Sequence, residues 1–439
     1  MKNILFMKYI HLFKTNSEFT TAYNGPDYIE PWLSLTEETM TIGTSKPKLT
    51  DFSAEPLTFN ILSDGTINWT ASNTAITKTI DYKLNNGEWA SITSNTGSSA
   101  PTINVVEGDK IQFKGNNEQY GTYLDYIYSY NSFRDSTASF EVEGNIMSLI
   151  YGDNFKNNLT ISGEYTFYEL FYHCVNLVSA ENLVLPSTTL AHSCYKSMFL
   201  ECTSLTTAPE LPATTLANYC YHSMFQGCTS LTIAPELPAT TLVDSCYRQM
   251  FLGCTSLTTA PKLPATTLAL SCYCDMFSSC TSLTTAPELP VTTLASSCYY
   301  GMFNNCTSLT TAPKLPATTL KTQCYRSMFQ GCTSLTTAPE LPATDLEDYC
   351  YYYMFSDCTS LTTAPELPAT TLKSQCYRYM FRNCTSLNYI KCLATNISAS
   401  NCTNSWVSNV ASKGTFVKAS SMTSWKTGKN GIPEGWAVV

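Results

Sequence analysis

A block of 26 residues, repeated with little variation between positions 166 and 402, constrains this chain more than any other feature. Its clearest marks are cysteines. Cys194, Cys220, Cys246, Cys272, Cys298, Cys324, Cys350 and Cys376 fall 26 apart, and Cys202, Cys228, Cys254, Cys280, Cys306, Cys332, Cys358 and Cys384 keep the same interval. Read from Cys220 to Leu242, the unit is Cys-Tyr-x-x-Met-Phe-x-x-Cys-Thr-Ser-Leu-Thr-x-Ala-Pro-Glu-Leu-Pro-Ala-Thr-Thr-Leu, followed by three variable residues. Counting the second cysteine from Cys174 to Cys384 gives nine units. The first has Thr166 in place of the first cysteine, and the last breaks its pattern at Asn388-Tyr389-Ile390-Lys391 and loses both prolines. One such unit cannot bury its own apolar side. Units of this length therefore stack into a solenoid with atypical ends, because an end unit must turn one face to water.

Within the unit, Leu216, Cys220, Met224 and Cys228 recur at steps of four beside Ala217, Tyr221 and Phe225. Residues ~216 to 227 are therefore expected to form a short amphipathic helix. Leu231 and Ala234 then space out an extended segment that Pro235 and Pro238 interrupt, so a strand of about four residues, Ser230 to Ala234, is expected before the chain turns. One strand and one helix per unit is the leucine-rich-repeat plan. The expected class is an α/β leucine-rich-repeat solenoid of nine ~26-residue units, short parallel strands plus short helices, preceded by an all-β sandwich domain. The run Met-Phe-x-x-Cys-Thr-Ser-Leu-Thr-Thr-Ala-Pro resembles the repeat of BspA-like leucine-rich-repeat proteins, which occur on the surfaces of Bacteroidales and in phages of gut bacteria. Met where that family has Ala, and Ala-Pro in place of its aliphatic strand end, depart from it.

The flanks read differently. In residues 51–145 the stretches Leu57–Leu62, Thr66–Thr70, Ile80–Leu84, Ile103–Val106 and Lys110–Lys114 alternate with turn signals, and Asn86-Gly87 marks a hairpin, which favours an Ig-like sandwich. Residues 146–402 are assigned to the solenoid, and 403–439, with Trp406, Trp425 and Trp436, to a C-terminal cap. Residues 1–50 carry Tyr9, Phe13, Phe19, Tyr23, Tyr28 and Trp32, too many aromatics for so short a segment to bury by itself. They resemble N-terminal segments of virion proteins in tailed phages of gut Bacteroidales, which implies an assembly anchor. Lys8, His11 and Lys14 break up the opening apolar run, so a secretory leader is not expected.

Chemistry is sparse. The chain has 34 acidic against 25 basic residues and a net charge of −9, with no basic block to release counterions from nucleic acid. No apolar window reaches the ~18 residues of a membrane helix. The twenty cysteines could form a disulfide ladder, a metal site or a reduced core. Free buried thiols are expected, since a core position suits the 26-residue rows and Cys272-Tyr273-Cys274 lacks the histidines of a zinc set. The four histidines, His11, His173, His192 and His222, have no recurring nucleophile or carboxylate partner, so neither a catalytic residue nor a cofactor is expected.

Variation between units is concentrated after Thr-Thr-Leu and around Cys-Tyr, which marks Tyr219, His222, Arg248, Arg326, Tyr352, Tyr353 and Arg378 as a candidate binding surface. Tyr and Arg are the residues that interfaces favour. The paired threonines, such as Thr258-Thr259, are expected to point to opposite faces of a strand, leaving one outward row. The expected function is that of a non-enzymatic phage structural protein (tail, fibre or capsid exterior) presenting the repeat to the host. Its expected partners are other virion proteins, through residues 1–50, and a bacterial surface protein or glycan, in a homo-oligomeric assembly. The alternative is a BspA-like adhesin on a bacterial surface.

Overall fold

The computed structural model describes residues 52–423 and 425–439; the expected anchor, Tyr9 to Trp32, lies outside the described residues. Ten strands occupy residues 57–145: β1 (Leu57–Ile61), β2 (Gly65–Asn68), β3 (Thr70–Ala71), β4 (Thr79–Leu84), β5 (Ala90–Thr93), β6 (Thr102–Val105), β7 (Lys110–Lys114), β8 (Gly121–Leu124), β9 (Ile127–Ser132) and β10 (Phe140–Asn145). Phe59, Phe113 and Phe140 of one sheet meet Trp69 and Phe133 in a buried aromatic core, with Phe59 and Trp69 each 4.8 Å from the Phe133 ring. Aromatic side chains of this size supply most of the apolar area such a small layer can bury. The hairpin at Asn86-Gly87 closes β4 on β5, pairing Ile80 with Ile92, but its left-handed residue is Asn85 (φ 52°).

That sheet continues into the repeats. Its order is β11-β10-β1-β7-β4-β5, where β11 (Leu177–Val184) belongs to the first unit and lies parallel to β10. Gly144 permits the junction. At φ +82° a Cβ there would stand 2.1 Å from the Pro56 carbonyl oxygen. Phe171 of the first unit packs on Phe133 and on Phe199 of the second, and one buried core runs without interruption from Leu57 to Trp436.

The expected helix is not formed. Residues 217–228 run through successive β-turns, and every fourth residue (Tyr219, Ser223, Gly227) has a φ of 56° to 73°, which an α-helix does not allow. The amides of Cys220, His222, Met224, Gln226 and Cys228 close turns onto carbonyls three residues back. Those of Tyr219, Tyr221, Ser223, Phe225 and Gly227 instead cross to Asp244, Cys246, Arg248, Met250 and Leu252 of the next unit, at 2.8–3.1 Å. Alternate amides thus stitch neighbouring units together, and this turn ribbon takes the place of the helix in every complete unit. Among the described residues the only α-helix is α1 (Ser148–Tyr151).

The expected four-residue strand is also shortened. In the middle units it contracts to single bridges, Ile233 to Thr259, Thr259 to Thr285, Thr285 to Thr311 and Thr311 to Thr337. A proline two residues on has no N–H to extend the ladder. True strands appear where the Ala-Pro-Glu-Leu-Pro sequence is missing, as β11 in the first unit and β12 (Tyr389–Cys392) in the last. Without a continuous strand the paired threonines do not alternate. Thr258 and Thr259, like Thr284 and Thr285, are both exposed, so the outward row is double.

Two ladders of rings fill the stacked units. Tyr195, Tyr221, Tyr247, Tyr273, Tyr299, Tyr325 and Tyr351 stack at 5.7–6.0 Å with planes within 11° of parallel. Phe199, Phe225, Phe251, Phe277, Phe303, Phe329, Phe355 and Phe381 do the same at 5.4–5.9 Å. Beside them each second-set cysteine donates its thiol to a phenylalanine carbonyl of the preceding unit, 31 residues back for Cys202 and 29 for the rest, as in Cys228 to Phe199 at 3.1 Å and Cys254 to Phe225 at 3.0 Å. All twenty cysteines are free and buried. Trp406 covers both ring ladders, 6.1 Å from Tyr377 and 6.2 Å from Phe381, with Trp425 stacked on its far side at 5.6 Å. Its neighbours β13 (Thr415–Lys418) and β14 (Ala437–Val438) extend β12 in parallel.

Candidate binding face

The turn ribbon has an inner and an outer side. Its inward residues, Tyr, Met, Phe and Cys, are buried in every complete unit. The residue after each Cys-Tyr, with Tyr168 at the equivalent place in the first unit, forms a second column, Tyr168, Lys196, His222, Arg248, Cys274, Tyr300, Arg326, Tyr352 and Arg378, of which Tyr168 and Cys274 are buried and the others half-buried at the outer side. Aromatic and cationic side chains therefore meet along the column. Lys196 lies 5.5 Å from the Tyr168 ring. The Arg326 guanidinium lies between Tyr300 at 5.1 Å and Tyr352 at 4.7 Å, and Arg378 is 5.8 Å from Tyr352. Such cation–π contacts contribute on the order of 0.5–1 kcal/mol each at exposed sites.

Of the seven residues marked by sequence variation, Arg326, Tyr352, Tyr353 and Arg378 come together. Tyr353 stacks on Tyr379 at 4.5 Å and stands edge-on to Tyr352 at 4.6 Å. Arg378 donates to Gln375 Oε1 at 2.7 Å and to the Tyr379 hydroxyl at 3.2 Å, and it lowers the Tyr379 hydroxyl's pKa through that hydrogen bond. Gln375 in turn donates to the Tyr349 hydroxyl at 2.5 Å, and Arg382 lies 5.6 Å from the Tyr379 ring. Tyr219 and His222 sit in a different group, in which Tyr165, His192, Tyr219 and His222 succeed one another at 5.5–5.8 Å. Arg248 makes no ring contact in either group, although its charge reaches His222. The sequence comparison did not choose Tyr300, Tyr349, Tyr379 or Arg382, although Tyr300, Tyr349 and Tyr379 occupy the same variable positions as Arg326, Tyr219 and Tyr353, which it chose.

A second aromatic surface went unnoticed altogether. The β8–β9 hairpin exposes Tyr123, Leu124, Tyr126, Ile127 and Tyr128, with Tyr126 92% accessible. Tyr128 contacts Tyr165, and Lys196 lies over it at 3.8 Å, so the hairpin adjoins the first ribbon. Tyr-Leu-Asp-Tyr-Ile-Tyr lacks a glycine turn signal, yet Asp125 and Tyr126 both adopt positive φ to close it.

At the proline edge of the units an exposed column reads Glu210, Glu236, Lys262, Glu288, Lys314, Glu340 and Glu366, and Lys391 pairs with Glu366 at 2.9 Å. Among the described residues no group of three or more His, Cys, Asp or Glu side chains is placed to hold a metal, and no helix is long and apolar enough to cross a membrane.

A family model for BspA type leucine-rich repeat regions, built of six copies, matches residues 154–310, 244–388 and 300–423. No curated protein and no solved structure matches the chain.

Proposed function

With well over half of its length matched, the chain belongs to the BspA-type leucine-rich-repeat family, and on that premise we propose that it is a non-enzymatic, adhesin-like binding protein whose turn-ribbon face makes the contact. One observation carries the reading. Inward positions of the ribbon keep Tyr, Met, Phe and Cys from unit to unit, whereas the outer positions vary and gather Tyr and Arg into one patch, Tyr300 to Arg382. Tyr and Arg are the side chains that anchor interfaces. The test is adhesion of labelled protein to host cells. Replacing Arg326, Tyr352 and Arg378 together by Ala is expected to abolish binding, while Thr258→Ser with Thr310→Ser, on the threonine rows, leaves it intact; the reverse result places the contact on the threonine side.

Two settings are compatible with this role. The family points to a bacterial cell surface. The resemblance of residues 1–50 to virion proteins points to a phage particle, with those residues anchoring the chain to other virion proteins or to further copies of itself. Deletion of residues 1–50 separates the two: loss of incorporation into particles supports the virion, and unchanged display on cells supports the bacterial surface.

A further inference from the structure

The chain has five arginines, and four of them, Arg248, Arg326, Arg378 and Arg382, lie on the turn-ribbon face. In a protein with nine more acidic than basic residues, each would be expected to have a carboxylate partner. None of the four forms an ion pair. Among the described residues the one ion-paired arginine is Arg134, with Asp135. The Nε atoms of Arg248, Arg326 and Arg378 are buried without any hydrogen-bond partner. Arg248 acts on the Asp275 carboxyl through space without forming an ion pair with it; beside the other arginines, Asp348 accepts from the Ser374 amide at 3.0 Å, and Asp357 accepts from Ser356 and Asn383 at 2.7 Å. The glutamates that recur with the Pro-Glu-Leu-Pro sequence stand on the proline edge instead.

We infer that the patch from Tyr300 to Arg382 binds an acidic polysaccharide, the carboxylate, sulfate or phosphate groups of the sugar chain meeting the arginines while its sugar rings lie on the tyrosines. This deepens the binding role proposed above and rests on it. Arginine is the side chain suited to forked recognition of such anions, and it is pre-organised here because tyrosine rings flank Arg326 and Arg378. The tyrosines provide flat apolar surfaces tipped by hydroxyls, and half-buried Gln375, Asn383 and Asn404 surround them with uncharged hydrogen-bonding groups. Arg326 and Arg378 stand two units apart in one column, so they address a ligand that is extended and repeats its charge. An acidic peptide would satisfy the arginines but would leave the row of tyrosine faces without a ring to stack on.

The test uses the full chain, run by native electrophoresis through gels containing hyaluronan (carboxylate), heparin (sulfate), neutral dextran or polyglutamate. Hyaluronan or heparin is expected to retard the protein, less so as salt rises, and whichever acts more strongly identifies the anionic group. Arg326→Gln combined with Arg378→Gln, and separately Tyr352→Ala, are expected to weaken retardation at least tenfold, and Arg326→Lys to retain part of it; unchanged circular-dichroism melting shows that the variants are folded. Equal retardation by polyglutamate would overturn the sugar component, and retardation by dextran that survives the arginine changes would overturn the anionic one. If no acidic polysaccharide retards the chain but cell adhesion still requires Tyr352 and Arg326, the inference fails and the binding role stands. If adhesion is indifferent to them as well, both fall.

Discussion

The inner and outer sides of the turn ribbon share one backbone and obey opposite rules. Inside, Tyr273 and Phe277 are each stacked between identical rings from the units before and after, and a change at one breaks two contacts. Outside, the column passes through Lys, His, Arg, Cys and Tyr while the hydrogen bonds between units stay in register. Backbone amides and the inner ladders hold the units together, so the outer column is free to carry a ligand-specific pattern. A conventional leucine-rich repeat leaves its sheet side to this role; here the prolines have reduced that side to single bridges, and the ribbon has the variety.

The sharpest way to break this contrast is to truncate one residue from each side. Phe277→Ala removes a fully buried ring and is expected to cost about 3–5 kcal/mol in denaturant unfolding. Arg326→Ala removes two cation–π contacts and is expected to cost no more than about 1–2 kcal/mol. Equal losses would show that the outer column is structural.

Next in size is the response to alkali. Burial raises Cys194, Cys272, Cys306, Cys324 and Cys376 to about 12. Unfolded thiols ionise near pH 8.5. With folded pKa values above unfolded ones, the thiols contribute their full stability below about pH 8.5 and lose it progressively up to about pH 12. Denaturation midpoints should therefore fall steadily from pH 9 upwards. At pH 8 Ellman's reagent should detect few thiols in the native protein and all twenty after denaturation. A flat midpoint would mean that the inner side is less dry than its packing shows.

The smallest effect concerns the outer side alone. His222 is pushed down to about 3, first by burial and then by Lys196 and Arg248, its neighbours in the column. Because its folded value lies below the ordinary 6.5, its contribution is present above pH 6.5 and declines as pH falls towards 3. Its imidazole resonances should hold steady from pH 8 to about 5 in NMR titration, and Arg248→Gln should raise the midpoint. An ordinary titration near 6.5 would detach His222 from the column.

The sequence by itself determined the repeat, its length, its degenerate ends, the family and which side chains share a column, because a strict 26-residue period leaves no other register for stacking. The buried, free state of the cysteines was legible for the same reason. It did not determine the backbone. Positions 216, 220, 224 and 228 step by four, and in an α-helix each such step drifts by about 40°, or about 120° over three steps, whereas a chain of four-residue turns does not drift at all. That signal was present, yet a helix and a turn ribbon bury the same residues. The choice between them came from amides that find their partners one unit away, which no local propensity encodes. Of the candidate face, Arg326, Tyr352, Tyr353 and Arg378 were legible as variable positions. That these four converge with Tyr300, Tyr349, Tyr379 and Arg382, that Tyr219 and His222 stand apart, and that the ribbon's arginines form no ion pair followed only from the stacking, since distances across units depend on the hydrogen bonds that set one turn of chain against the next.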